Sequence, residues 1–213
     1  MMSRIFITAL WQDPYWFFCA SFLVVFSICC HEFMHAWVAL KEGDPTAADE
    51  GHLTLNPIKQ MGIYSLILLA LFGIAWGQVP VNPANFRSRN SDLKVSLAGL
   101  LTNLVLAFIM LCICGILLYL GVQVENERAL SMIFYGCVLN QVLFVLNMLP
   151  VPGFDGFNVV RHFFPRFLQL KSESGTIVTV VLIVLLFSCI KYLFALAQMI
   201  GLAGLSLMGD LLS

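Results

Sequence analysis

Charge is scarce in this sequence. Of 213 residues, 11% are charged and 60% are hydrophobic, against about 25% and about 45–50% in an average soluble domain. So few ionic groups cannot coat a water-exposed surface, which excludes an ordinary soluble globular protein. Disorder is excluded too, because it needs low hydrophobicity and high net charge. A surplus of either sign is also missing. Lys and Arg number 11 and Asp and Glu 12, for a net charge of −1, so no basic field for nucleic acid exists. Paired cysteine motifs are absent: all seven cysteines lie in apolar runs and none forms C-x-x-C. They read as small buried apolar residues. Internal repeats, low-complexity tracts and a soluble linker are missing as well. The length suits one domain, residues 1–213. What remains is a membrane protein in which each surviving charge calls for a reason.

What is present is a series of uncharged runs: Tyr15 to Cys30, Met61 to Val79, Val95 to Val124, Ala129 to Phe154, Ser174 to Ile190, and Tyr192 to Gly209. A spanning helix needs about 20 mostly apolar residues, so four or five crossings are expected. Continuous apolar runs indicate helices, since barrel strands alternate over about 10 residues. The fold class is therefore an all-α polytopic membrane protein. The first run passes directly into His31, Glu32 and His35 with no small-residue cleavage site before them, so it reads as a retained helix and not a signal peptide. Breaks rich in Pro and Gly separate the runs at Gly43 to Pro57, Gly77 to Pro83 and Pro150 to Gly156.

One constellation demands chemistry. His31-Glu32-Phe33-Met34-His35 is an H-E-x-x-H pattern. Residues i and i+4 share a helix face, so both imidazoles reach one metal ion, while Glu32 is placed to act as general base on a water. At membrane depth such residues are costly unless paired or functional; the bland alternative is a polar cluster that packs helices together. Catalytic zinc usually takes three protein ligands and leaves a fourth position open, so a third ligand is owed. The run Ala129 to Phe154 ends in Asn147-Met148-Leu149-Pro150-Val151-Pro152-Gly153-Phe154-Asp155-Gly156. Pro150 and Pro152 stop the helix, and Asp155 then supplies an oxygen ligand. Gly156 gives either close approach or a positive φ. Taken alone, Asp155-Gly156 would equally suit a surface turn; beside a zincin motif that lacks a ligand, the ligand reading is the better one.

These residues resemble the site-2 proteases, in the compact bacterial and archaeal branch without a PDZ domain. The resemblance runs from about His31 to His162. It is carried by five segments in order: His31 to His35; Gly43-Asp44-Pro45-Thr46-Ala47 with Gly51 to Pro57; Pro80 to Arg87; Ala98-Gly99-Leu100-Leu101-Thr102-Asn103; and Asn147 to Gly156. Two departures stand out. Leu100 occupies a place where Pro is usual, and Phe157 one where Gly is common; neither is a ligand position. The resemblance implies one Zn2+ on His31, His35 and Asp155, with Glu32 as general base. It implies a transmembrane protein as substrate, cut in or near its membrane segment. It also sets Asn103 and Asn147 near the metal, to bind substrate or the developing oxyanion. The alternative for both is an interhelical hydrogen bond worth about 0.6–2 kcal/mol.

Depth parity shapes the expected topology. His35 and Asp155 must share one level, yet three crossings between them would separate them. The simplest repair is that Met61 to Val79 re-enters, helped by Gly62, Gly73 and Gly77; such backbone is tolerated only where protein covers it or it lines a cavity. Eight basic residues (Lys41, Lys59, Arg87, Arg89, Lys94, Arg161, Arg166, Lys171) then share one side and two (Arg4, Arg128) the other, with Lys191 unassigned. The alternative topology splits them seven to three. The positive-inside rule favours re-entry and sets the site nearer the cytoplasmic side of a prokaryotic cell membrane. His52 to Leu55 alternates as either a short strand or a plain surface hairpin. Phe157 to Leu170 has the composition of a helix lying at the lipid interface, and His52 and His162 read as surface residues. Two rival functions are a non-catalytic zinc-binding membrane protein, such as a transporter or scaffold, and a peptidase of the prenylated-terminus type. Transport needs ligands spread along a path; the second rival wants a late Glu ligand, and only Glu173 offers one.

Overall fold

The computed structural model describes residues 6–121, 127–164 and 172–212. Among them every regular element is helical. The long elements are α1 (Pro14–Lys41), α2 (Gly62–Phe72), α3 (Ser91–Tyr119), α4 (Glu127–Asn147), α5 (Asp155–Phe163) and α6 (Ser172–Leu212). Four helices are long and apolar enough to cross a membrane: Pro14–Lys41, Ser91–Tyr119, Arg128–Asn147, and Ser188–Gly209 within α6. The two last apolar runs of the sequence thus lie on one continuous helix of 41 residues. Lys191 does not divide it; its ammonium sits 4.9 Å from the Tyr192 ring.

The helices begin and end for local reasons. Asp13 caps α1 by accepting from the Trp16 N–H at 3.1 Å, with Pro14 as first helical residue. Lys41 lies in its last turn, where it suits the dipole. Glu42 then accepts from Ser91 Oγ at 2.7 Å and Lys94 Nζ at 2.9 Å, which ties the end of α1 to the start of α3. Asp44 is buried and accepts from the N–H groups of Thr46 and Asn82 and from Asn85 Nδ2. It staples the turn after α1 to the turn before α3.

Met61 to Val79 folds back on itself. At 11 residues α2 is about 16 Å long, against roughly 30 Å of hydrocarbon. Gly73, at φ 72°, ends α2 in the left-handed conformation that only Gly adopts without cost. The bonds Ile74 N–H to Leu68 O and Gly73 N–H to Leu69 O close the turn. The chain then returns extended. Ser65 Oγ donates to Trp76 O at 2.7 Å and accepts from Trp76 N at 2.9 Å, and Gln78 N donates to Gln60 O at 2.9 Å. Both ends of the segment therefore stand at one level. Residues Ile28 and Cys29 of α1 pack with Met61 and Leu69 to seat the hairpin.

α1, α3 and α4 form the core of the bundle, with α6 against α3 and α4. Ser27 of α1 meets Asn140 of α4, and further along both chains His31 and His35 meet Asp155, so α1 and α4 run parallel. On α3, Asn103 lies level with His31 and Val95 with His35, so α3 runs against both. Outward faces carry Phe18, Phe22, Leu104 and Phe108, all exposed, as lipid requires. Contacts between helices use small residues, among them Ala20, Ala36, Ala39, Ala98, Ala107 and Cys114. That is the packing expected where lipid removes any hydrophobic drive between helices. Leu100 is buried within an unbroken α3, so the departure from Pro leaves that helix continuous.

Candidate metal centre

His31 and His35 lie one turn apart on α1, with ring centroids 4.6 Å apart. Asp155 comes from a different part of the chain. α4 stops at Asn147; Leu149 N–H bonds to Leu146 O, Val151 N–H to Leu149 O and Phe154 N–H to Val151 O. The loop through Pro150 and Pro152 then leads into α5, of which Asp155 is the first residue. A carboxylate there suits the positive end of the helix. Gly156 serves close approach and not a positive φ: any Cβ on it would strike the main chain of Met148.

The three side chains converge. His31 Nε2 lies 3.1 Å from Asp155 Oδ2, His35 Nε2 lies 3.2 Å from Asp155 Oδ1, and the two Nε2 atoms are 2.9 Å apart. A tetrahedral zinc with bonds of about 2.1 Å sets its ligand atoms about 3.4 Å apart, and the separations here, 2.9 to 3.2 Å, fall somewhat short of that. Donor chemistry fits. His31 Nδ1 donates to Asn103 Oδ1 at 2.6 Å, and His35 Nδ1 donates to the Val95 carbonyl at 2.8 Å. With each ring hydrogen spent on Nδ1, both Nε2 atoms offer lone pairs, and they face a carboxylate whose Oδ2 is buried without a hydrogen bond. Three lone-pair donors turned on one point are what a cation satisfies and a proton shared between rings does not. Among the described residues, His31, His35 and Asp155 are the one group of His, Cys, Asp and Glu arranged to hold a metal.

Glu32 stands beside the triangle, 8% exposed. Gly77, on the returning limb of the hairpin, packs directly on its carboxylate, where any Cβ would collide. Gly99 of α3 does the same for both imidazoles. The site opens on a cavity of about 390 Å³ bordered by Glu32, Asn147, Asn158, Asp92 and the extended chain from Ala75 to Val81. Arg161 of α5 pairs with Asp92, which borders the cavity from α3, at 2.9 Å.

Other expected positions resolve individually. Asn147 lines the cavity, and its Nδ2 donates to Leu143 O at 3.1 Å. Asn103 Oδ1 accepts from His31 and Asn103 Nδ2 donates to Asn140 Oδ1 at 3.0 Å. It makes the interhelical bond while holding the His31 ring. His52 to Leu55 forms no strand; His52 is half-buried, 3.3 Å from Gln60 Oε1, away from the triangle. The extended chain beside the site is the hairpin's return limb. His162 lies on α5 outside the triangle, and the interfacial segment beyond Phe164 and the Glu173 side chain fall outside the described residues. Sequence reasoning missed Gly77, Gly99 as the backing of both imidazoles, Val95 and Asn140. Only Asn140 left a signal, as a second amide inside an uncharged run.

No family model matches the chain, and no solved structure matches it. Curated relatives do. The chain is 37% identical over 170 residues to "Putative zinc metalloprotease YwhC" of Bacillus subtilis (strain 168), covering 76% of this chain and 78% of that one. It is 33% identical over 175 residues to "Putative zinc metalloprotease Rip2" of Mycolicibacterium smegmatis, covering 74% of this chain and 63% of that protein. It is 30% identical over 166 residues to the protein of the same name from Mycobacterium tuberculosis (strain ATCC 25618 / H37Rv), covering 75% and 62%. The chain thus spans less than two thirds of either mycobacterial relative. Likeness at this level across three quarters of the chain reflects common descent, and the chain belongs to the site-2 protease family.

Proposed function

We propose that the protein is an intramembrane zinc endopeptidase that hydrolyses a peptide bond in or near a transmembrane segment of another protein. The observation that carries this reading is the convergence of His31, His35 and Asp155 with Glu32 left outside the triangle. A transporter would spread its ligands along a path. Here they close on one point and leave a carboxylate free for proton transfer.

His31 Nε2, His35 Nε2 and Asp155 would hold the metal. Bound there, zinc supplies Lewis acidity that brings the pKa of a water towards about 7 and draws charge from a carbonyl. Glu32 takes the proton of the attacking water on its carboxylate and returns it to the departing amine. Gly77 keeps that carboxylate turned into the cavity. Asn147 directs its amide to the substrate carbonyl oxygen. The extended limb from Ile74 to Val81 borders the site, and a strand edge of this kind suits a substrate that has locally unwound. A helical peptide hides its carbonyls in its own hydrogen bonds, so unwinding must precede attack. The hairpin return supports the eight-to-two division of basic residues and a site facing the cytoplasm. A reporter fused after Gln78 is expected to read as cytoplasmic.

The test is metal content together with cleavage of a model transmembrane substrate by purified protein. Glu32→Gln is expected to keep its zinc and lose cleavage. Unchanged cleavage by Glu32→Gln would end this reading.

A further inference from the structure

Asn140 sits in an apolar stretch of α4 and is completely buried, as is Ser27 of α1; Asn103 of α3 is 1% exposed. Polar groups buried this deeply between apolar helices are satisfied by one another. Asn140 Nδ2 lies 2.9 Å from the Gly136 carbonyl and 2.9 Å from Ser27 Oγ. Asn140 Oδ1 lies 3.0 Å from Asn103 Nδ2, and Asn103 Oδ1 lies 2.6 Å from His31 Nδ1.

The sense of every bond in this row follows from its far end. A carbonyl oxygen only accepts, so the Asn140 atom facing Gly136 is its amide nitrogen. The other Asn140 atom is then an oxygen, and it faces Asn103. Asn103 must meet it with its own nitrogen, which turns its oxygen to His31. That oxygen requires a hydrogen on Nδ1. A neutral imidazole carries one ring hydrogen, so Nε2 keeps its lone pair and points it at Asp155 and His35. Remove Asn140, and no described contact separates the two orientations of the Asn103 amide. In the reversed one, Asn103 offers a donor to Nδ1 and drives the hydrogen to Nε2, where it blocks a metal. His35 has no such dependence, because a main-chain carbonyl fixes its Nδ1 directly.

We infer that Asn140 is a positioning residue: through Asn103 it selects the form of His31 that binds metal. The inference rests on the metal reading of the triangle. Partners of ligating imidazoles typically govern metal affinity by about 10–100-fold.

The experiment measures zinc affinity of the full-length protein in detergent by competition with a chromophoric chelator. Asn140→Leu is expected to weaken zinc about 10–100-fold. Adding Asn103→Asp to Asn140→Leu should restore it, because a carboxylate has only acceptors and needs no orienting. A packing role for Asn140 would leave that double variant as weak as Asn140→Leu, and this result would overturn the inference, as would wild-type affinity in Asn140→Leu. Absence of zinc binding by the wild type would overturn the metal reading itself. Ring-nitrogen NMR of metal-free wild type tests the same point without variants: the His31 hydrogen is expected on Nδ1, and finding it on Nε2 refutes the inference.

Discussion

α4 meets its neighbours in two ways. Toward α1 and α3 it turns Asn140, joined by hydrogen bonds to Ser27 and Asn103. Toward α6 it turns Val138 and Val142, packed against Ala197, Leu193 and Phe194. The first face is directional: each bond has a donor and an acceptor, and reversing one reverses the next. The second face has shape and no direction. One helix thus separates two tasks, specifying chemistry on one side and adhesion on the other. Damage to the first should change what the site binds. Damage to the second should change only how firmly the bundle holds.

Glu32→Gln should lower cleavage by about 10²–10⁴-fold with zinc content unchanged in metal analysis, which separates the base from the ligands. Asp155→Ala removes one of the three proposed ligands and should leave little stoichiometric zinc after dialysis, while the metal-free protein still melts cooperatively. Val142→Ala, on the adhesive face, should cost about 1–2 kcal/mol in unfolding and leave zinc affinity at the wild-type value. If Val142→Ala weakened zinc as strongly as Asn140→Leu, the contrast would collapse.

The smallest effect concerns the turn between α1 and α3. Burial works to raise the Asp44 carboxyl, but hydrogen bonds from Thr46, Asn85 and the Asn82 main chain outweigh it and hold the group below its ordinary value. A depressed carboxylate stabilises the fold above its unfolded value of about 3.9, and that stability is lost as pH falls through the lower folded value. Melting curves of metal-free wild type and Asp44→Asn should therefore differ near neutral pH and converge in acid. A gap that persists at low pH would show that the turn depends on shape and not on charge.

The convergence of His31, His35 and Asp155 was legible because their spacing is chemistry. Positions 31 and 35 share a helix face whatever surrounds them, and Pro150 and Pro152 forbid α4 from continuing past the residues that deliver Asp155. The hairpin was legible through parity and through Gly73, although its closure by Ser65 was not. Ser65 looks like any small polar residue until Trp76 lies opposite. Asn140 left a signal as an amide in an apolar run, but its role was hidden for a similar reason. An amide in an apolar run carries no mark of the face it occupies, and its meaning depends on the polarity of a chain of contacts spanning three helices. Lys191 misled slightly: a charge divides a hydropathy trace, but without Pro or Gly beside it the backbone has no cause to break. The likeness of His52 to Leu55 to a strand failed because alternation over four residues carries little weight without a partner edge, and the Gln60 side chain takes the carbonyls of His52 and Thr54.

The packing of Gly77 on Glu32 has a consequence for how such a protein could change over evolutionary time. The triangle is assembled by α1, the loop after α4 and the brace from α3. The wall behind Glu32 belongs to an appended hairpin that closes on itself through Gln60 and Gln78. The hairpin rests on α1 through Ile28 and Cys29, and reaches the site itself at the Glu32 carboxylate. On the proposed reading, loss or remodelling of the hairpin would leave the triangle assembled and Glu32 unsupported. A binder and a hydrolase built on this scaffold would therefore differ by one detachable loop and not by a new fold.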